Sequence, residues 1–191
     1  MDQAIAQERE SLKSRVLHMQ GADFDLLALD VFRFQYAYNP LYQQYVQLSG
    51  VSPERVEHWT QIPFLPIELF KNHQVLTAEQ PVLFSFESSG TTGQIPSKHP
   101  VCDPGFYQEI SKIAFEREYG SLSDYHIFAL LPSYLERSTS SLVFMMDHFI
   151  KASGSCLSGF YLNQYQELVQ ALRKALATDK KVWLMGVTFG L

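Results

Sequence analysis

The chain has no excess of positive charge: 15 lysines and arginines stand against 20 aspartates and glutamates, a formal net charge of −5. A protein that binds nucleic acid needs a basic surface to displace counterions from phosphates. We therefore expect no nucleic-acid partner. The negative total does not exclude ATP, because backbone amides and a single lysine are enough to hold phosphates.

Long hydrophobic runs are also missing. No stretch approaches the roughly 18 uninterrupted apolar residues that a membrane-spanning helix requires. Residues 1–8 contain no basic segment followed by an apolar one, so they do not have the pattern of a secretion signal. The sequence predicts a cytoplasmic protein with no membrane span.

Cysteine is scarce. Cys102 and Cys156 are the two in the chain, without CxxC spacing and without a neighbouring histidine cluster. Such cysteines are more often reduced, small core residues than a disulfide or a metal site. We also find no metal-ligand spacing, no defensible Ser/His/Asp triad and no paired carboxylates. Any Mg²⁺ is expected to arrive with a nucleotide and to be held by its phosphates and water.

The first part of the chain has helical periodicity. Apolar residues recur at helical spacing over residues 5–19, and a second helix is predicted over residues 26–36. This second helix should stop at Asn39, because the residue before a proline is pushed out of helical geometry. Ser52 and Pro53 are typical of a helix start, and Pro66 can open a short helix. We predict a helical N-terminal region over residues 1–74.

After residue 75 apolar runs alternate with helical patterns. Strands are predicted at residues 81–86, 125–131, 156–161 and 181–187, with helices between them over residues 103–120, 139–150 and 165–176. Strands that are apolar on both faces and alternate with helices indicate a parallel sheet covered on both sides. We therefore predict an α/β subdomain over residues 75–191.

The sequence ends soon after its last predicted strand. A doubly wound domain normally covers such a strand with a further helix. We therefore expect the chain to be the N-terminal part of a longer fold.

A polar loop follows the strand predicted at residues 81–86. Its hydroxyl groups donate hydrogen bonds, its two glycines let backbone amides converge on one point, and a lysine adds a full positive charge. This combination of groups suits a polyphosphate. The alternative is a polar turn between two strands. The candidate phosphate ligands are Ser88, Ser89, Gly90, Thr91, Thr92, Gly93 and Lys98.

The same loop is similar to the phosphate-binding signature of the adenylate-forming superfamily. Within it, the chain most resembles the LuxE-type acyl-protein synthetases, with phenylacetate-CoA ligases further away. Two more segments carry this resemblance: the Pro-Phe-Leu-Pro stretch with its Phe-Lys end at residues 62–71, and the aromatic patch at residues 36–42. Residues 186–189 fit as well, so the similarity covers roughly residues 36–191.

The resemblance implies the fold and chemistry of an adenylate-forming ligase. A fatty carboxylate would be activated by ATP and Mg²⁺ to an acyl-adenylate, and its acyl group would pass to a thiol, either a protein cysteine or CoA. An acyl-accepting reductase or carrier protein is the partner that the resemblance implies. In this family a cysteine near the C-terminus accepts the acyl group, and neither Cys102 nor Cys156 matches it. Taken alone, this fragment is expected to be inactive. The rival is a non-catalytic module that binds phosphate or acyl groups.

The turns after the later strands form a second candidate region, because ligands of α/β sheets bind beyond the carboxyl ends of the strands. The alternative for this region is an ordinary surface ion pair. Two histidines are weaker candidates: His126 is expected to be a satisfied core histidine, and His148 follows Asp147 on a helix where neighbours point apart. The predicted pocket rim is Tyr134, Glu136, Arg137, Gly186 and Thr188.

Overall fold

The computed structural model describes residues 3–88, 96–132 and 139–186 of the chain. Contacts divide the chain into two compact units, Met1–Asp103 and Pro104–Leu191. The sequence pattern changes at residue 75, whereas the contacts place the division after Asp103. The strand predicted at residues 81–86 therefore belongs to the first unit.

The first unit begins with three helices. These are α1 (Gln3–Leu17), α2 (Phe24–Tyr38) and α3 (Pro40–Leu48). The predicted end of α2 at Asn39 is confirmed, because this residue is extended, with φ −117° and ψ 101°. Helix α3 was not predicted from the sequence. It begins at once because the Asn39 side chain accepts a hydrogen bond from the Tyr42 amide at 3.0 Å and Pro40 fills the first helical position.

The helix predicted to start at Ser52 is wrong. The structure forms only a single 3₁₀ turn there, Pro53–Arg55. The chain then leaves helical geometry, since Val56 is extended and almost fully buried against Leu29, Phe32, Tyr42 and Val46. Burial of this one side chain overrides the local helix-start signal. Further along, the short helix expected after Pro66 is present as α4 (Leu69–Asn72).

Two β-strands complete the first unit, and they pair antiparallel. Strand β1 (Phe84–Glu87) runs against β2 (Lys98–Val101), with Phe84 opposite Val101 and Glu87 opposite Lys98. The expectation that this apolar run belongs to the parallel sheet is wrong. Only residues 88–97 connect the two strands, which is too few for the crossover that parallel neighbours need. Strand β2 itself was not predicted.

The second unit has the alternating order expected from its sequence. It contains α5 (Pro104–Tyr119), β3 (Tyr125–Leu130), α6 (Ser141–Ala152), β4 (Gly159–Phe160), α7 (Tyr165–Ala175) and β5 (Lys181–Gly186). Its strands form a parallel sheet in the order β4-β3-β5. The mixed α/β class and the parallel sheet are thus confirmed, although β4 is only a fragment of the strand predicted at residues 156–161.

Strand β3 is the centre of the second unit, and all six of its residues are buried. One face, including Ile127 and Ala129, packs against Val143, Met146 and Phe149 of α6. The other face packs Phe128 and Leu130 against Leu168, Ala171 and Ala175 of α7. Helices on both faces explain why this strand is a continuous apolar run in sequence.

His126 lies inside β3, and it is a satisfied core histidine as expected. Its Nδ1 lies 2.6 Å from the Ser155 hydroxyl and its Nε2 lies 2.8 Å from the Thr178 hydroxyl. Thr178 donates its own hydrogen to the Ala175 carbonyl oxygen, so Nε2 is the nitrogen that carries the imidazole hydrogen. Ser155 therefore donates to Nδ1.

Both cysteines are free, but neither is a core residue, so the core prediction is wrong for both. Cys102 is half-buried, and burial raises the pKa of its thiol, whereas Cys156 is exposed. Within the described residues, no group of three or more His, Cys, Asp or Glu side chains is arranged to hold a metal ion.

A helix that crosses a membrane must be both long and apolar. In the part of the chain that the structure describes, none of the helices is both long and apolar enough to cross a bilayer.

Candidate functional site

The candidate phosphate loop connects β1 to β2 in the antiparallel hairpin. At its base, Ser88 donates its backbone N–H to the Ser97 carbonyl oxygen at 3.0 Å. Ser97 returns its own N–H to the Ser88 hydroxyl oxygen at 2.9 Å. These two hydrogen bonds join Ser88 to Ser97 and form what we call the neck of the hairpin.

Ser88 is therefore both a candidate ligand and a structural residue. Its hydroxyl oxygen accepts from Ser97, and the hydroxyl hydrogen has no acceptor among the described residues. A phosphate oxygen at the neck can accept that hydrogen without breaking the existing bond. The candidate role of Ser88 is compatible with its geometry.

Lys98 lies directly below the neck and is paired with Glu87. Its Nζ is 3.5 Å from Glu87 Oε1, and the Lys98 side chain is 61% exposed. Exposed ion pairs contribute only about 0–1 kcal/mol, because water screens them and two long side chains lose freedom. A doubly charged phosphate group can therefore draw the ammonium away from Glu87 at little cost.

The segment at residues 62–71 packs against the hairpin. Helix α4 contacts β2, and the Phe70 ring stacks on the His99 imidazole with centroids 5.7 Å apart and 24° between the planes. Burial lowers the pKa of His99, which favours its neutral form. Phe86, which pairs with His99, and Val101 lie on the same face of the hairpin as His99, and both are buried. Two of the segments that carry the family resemblance are thus in contact.

The remaining loop candidates lie outside the described residues. These are Ser89, Gly90, Thr91, Thr92 and Gly93. Of the seven candidate phosphate ligands, Ser88 and Lys98 are the two whose positions can be stated, and both are at the neck.

The predicted pocket rim belongs to the second unit. Gly186 ends β5 directly opposite Leu130, the last residue of β3, so it lies at the carboxyl edge of the parallel sheet. This is the edge at which ligands of α/β sheets bind. Four rim candidates fall outside the described residues: Tyr134, Glu136, Arg137 and Thr188.

Two residues that shape the neck were not singled out from the sequence: Glu87, as the partner of Lys98, and Ser97, as the partner of Ser88. Their contribution depends on β2, which the sequence analysis missed because His99 and Pro100 interrupt its apolar pattern. A weak signal was available. Residues of opposite charge at equal distances from the centre of a polar loop are typical of a hairpin pair.

The Asp147–His148 pair does not form an acid–base dyad. Asp147 accepts a hydrogen bond from Lys151 at 2.6 Å on the surface of α6. His148 points elsewhere, and its Nε2 is buried with no hydrogen-bond partner among the described residues. Burial, followed by the charge of Lys112, lowers the pKa of His148. His148 is therefore a neutral, inward-facing side chain.

Comparison with known proteins does not extend these observations. No family model, curated protein or solved structure matches the chain at a significant level.

Proposed function

We propose that this chain carries the phosphate-binding part of an ATP-dependent ligase that activates a fatty carboxylate as its acyl-adenylate. In this proposal, residues 88–93 and Lys98 bind the β- and γ-phosphates of Mg·ATP. The acyl group then passes to a protein thiol, as in the LuxE-type acyl-protein synthetases that the sequence resembles. Two further parts of the proposal are that the fold is an adenylate-forming ligase fold and that the protein is cytoplasmic.

The observation that carries the proposal is the closed neck of the hairpin. A phosphate loop has to converge several donors on one point, and the Ser88–Ser97 hydrogen bonds fix where the loop begins and ends. Two glycines and three hydroxyl residues lie between those fixed ends. Lys98 adds a positive charge at the same place. Hydroxyl, amide and ammonium groups together match a polyphosphate better than they match an ordinary turn.

The reaction needs little covalent chemistry from the protein. A carboxylate oxygen attacks the α-phosphorus of ATP, a carboxyl-oxygen-to-phosphorus bond forms, and the bond between the α-phosphorus and the bridging oxygen breaks. Pyrophosphate leaves with the bridging oxygen and both electrons. Positioning and charge neutralisation dominate such a step. Donors placed around the leaving pyrophosphate stabilise the negative charge that develops on it.

Carboxylate-dependent exchange of labelled pyrophosphate into ATP tests this proposal, using the protein at its full natural length. We expect exchange with long-chain fatty acids and none without an acid. Exchange with aryl acids alone would favour a phenylacetate-type CoA ligase instead. Absence of exchange across a panel of fatty and aryl acids would contradict the ligase proposal and leave a non-catalytic binding module.

A double substitution in the loop links the exchange activity to these residues. Replacing Thr91 and Gly93 together with leucine removes a hydroxyl donor and fills the space that the phosphates need. We expect exchange to be lost while the circular dichroism spectrum is unchanged. A matched control places leucine at Gly21 and Thr139, because Gly21 has no atoms within 4 Å of an added Cβ and Thr139 is exposed. The control should retain exchange.

A further inference from the structure

A cleft in the first unit lies apart from the hairpin loop in sequence and has no role in the proposed ligase chemistry. It has a volume of about 840 Å³, and its walls are the junction of α2 and α3 and the extended chain of residues 74–82. This volume is in the range of small-molecule sites, roughly 300–1,000 Å³. Apolar walls come from Leu41, Leu76 and Val82, and a tyrosine ring, Tyr38, stands at one end of α2.

The wall of the cleft is held by several specific hydrogen bonds. The buried Asn39 side chain donates to the Thr77 hydroxyl at 3.3 Å, and Ala78 donates its N–H to the Tyr38 carbonyl oxygen at 2.6 Å. The Gln80 side chain closes the same turn by donating to the Thr77 carbonyl oxygen at 2.8 Å. The turn is therefore fixed in place against the helix junction.

Ala78 is strained in this turn. Its φ is +59°, and among the described residues it is the one non-glycine residue with a positive φ. Left-handed backbone in a residue with a Cβ costs roughly 1–2 kcal/mol and persists only where its surroundings impose it. Because Ala78 precedes Glu79 directly, the strained turn also fixes the backbone from which the Glu79 side chain projects.

The charged side chain in the lining of the cleft is acidic. Glu79 is the single charged side chain among the described residues that line it, and no ion pair is formed by this carboxylate within the described part of the chain. The other polar side chains are neutral amides and the Tyr38 phenol. With no cationic group in the lining, a phosphate or carboxylate ligand would meet repulsion from Glu79 and no compensating partner.

We propose that this cleft binds a small amphipathic cation, an amine on an apolar body. The ammonium group pairs with the Glu79 carboxylate. The apolar body packs on Leu41, Leu76 and Val82. The proposal does not depend on the proposed ligase function, because it uses none of the loop residues.

Binding of n-octylammonium to the ¹⁵N-labelled chain tests the proposal by amide chemical shifts. We expect saturable shifts centred on Leu41, Ala78 and Glu79, and weaker or no binding of n-octanoate at the same concentrations. Glu79→Gln should reduce the affinity about fivefold, the effect of an exposed charge pair. Raising the salt concentration should weaken binding to the unmodified chain.

Two further variants make the result decisive. Glu57→Gln removes an exposed carboxylate outside the cleft and should leave octylammonium binding unchanged. Glu79→Lys should abolish octylammonium binding and admit octanoate. Equal binding of octanoate and octylammonium by the unmodified chain would overturn the proposal, as would shifts centred elsewhere or the absence of saturable binding.

Discussion

At the scale of single residues, the His126 imidazole is held in one protonation state by its neighbours. Nδ1 accepts from Ser155 and Nε2 donates to Thr178, so both nitrogens are satisfied in the neutral form. A second proton would bind to Nδ1. The Ser155 hydroxyl could then no longer donate a hydrogen bond to Nδ1, in a site that is buried. Burial, followed by the charge of Lys180, lowers the pKa of His126 accordingly.

This depressed pKa makes the folded chain sensitive to acid. The unfolded chain takes up the proton near the ordinary histidine pKa of about 6.5, and the folded chain takes it up only at lower pH. Stability is therefore complete above about pH 6.5 and falls as the pH drops below it, by at most about 1.4 kcal/mol per pH unit for this group. Urea unfolding at pH 7.5 and 5.5 measures the loss.

Substitution of His126 distinguishes its contribution to the pH dependence of stability from the contributions of the other histidines. His126→Gln should be less stable at pH 7.5, because it loses two buried hydrogen bonds, yet lose less stability between the two pH values. Part of the pH dependence should remain, since burial also lowers the pKa of His99 and His148. His73→Gln, at an exposed position, should leave the stability at pH 7.5 unchanged. An unchanged pH dependence in His126→Gln would show that the imidazole does not contribute.

Ala78 gives a second prediction at this scale. Ala78→Gly should stabilise the chain by about 0.5–1 kcal/mol, because glycine adopts the observed φ of +59° without the clash of a Cβ. The matched control is Ala37→Gly on the exposed face of α2, which should destabilise by about 1 kcal/mol. Denaturant unfolding compares the two variants. The same loss of stability in both would mean that the turn at Ala78 is not strained.

At the scale of elements, the stability of the hairpin depends little on the Glu87–Lys98 ion pair, which lies at the candidate phosphate site. Strands β1 and β2 are held by their ladder, by the buried Phe86 and Val101, and by the Ser88–Ser97 neck. The Glu87–Lys98 ion pair is exposed and adds little to this. Lys98 is therefore available for a ligand, and its removal should affect binding far more than stability.

Lys98→Met tests that separation. We expect the free energy of unfolding to change by less than about 1 kcal/mol. The affinity for Mg·pyrophosphate, measured by calorimetry, should fall at least about tenfold because a charged hydrogen bond to phosphate is lost. Lys151→Met removes another exposed ion-paired lysine and should leave this affinity unchanged. If the two variants bind Mg·pyrophosphate with equal affinity, Lys98 is not part of the phosphate site.

The sequence predicted most elements whose pattern is local. Strand β3 and helix α7 follow directly from their apolar spacing, and α2 ends where Asn39 and Pro40 require. The missed elements depend on distant partners. Strand β2 exists because β1 lies opposite to it, and the turn at Ser52 does not continue as a helix because Val56 is buried against α2 and α3. Such pairings are not encoded in the spacing of the residues concerned.

At the scale of the whole molecule, the chain consists of a helical unit that carries the hairpin and an α/β unit built around β3. Of the candidate residues, Ser88 and Lys98 lie at the neck of the hairpin, and Gly186 lies at the carboxyl edge of the parallel sheet. The sequence did not predict the neck, because the neck depends on the pairing of β1 with β2. It did not predict the cleft beside Ala78, because the cleft depends on a hydrogen bond between Asn39 and Thr77, which are far apart in sequence. The adenylate-forming chemistry stays a proposal.

Calorimetric titration of the chain with Mg·ATP tests the central claim, that the loop between Ser88 and Lys98 binds the phosphates of a nucleotide. We predict saturable binding that is lost when Thr91 and Gly93 are replaced by leucine and kept when Gly21 and Thr139 are replaced instead. Free pyrophosphate should compete with ATP. No saturable heat of binding, or equal binding by the two double variants, would contradict the claim.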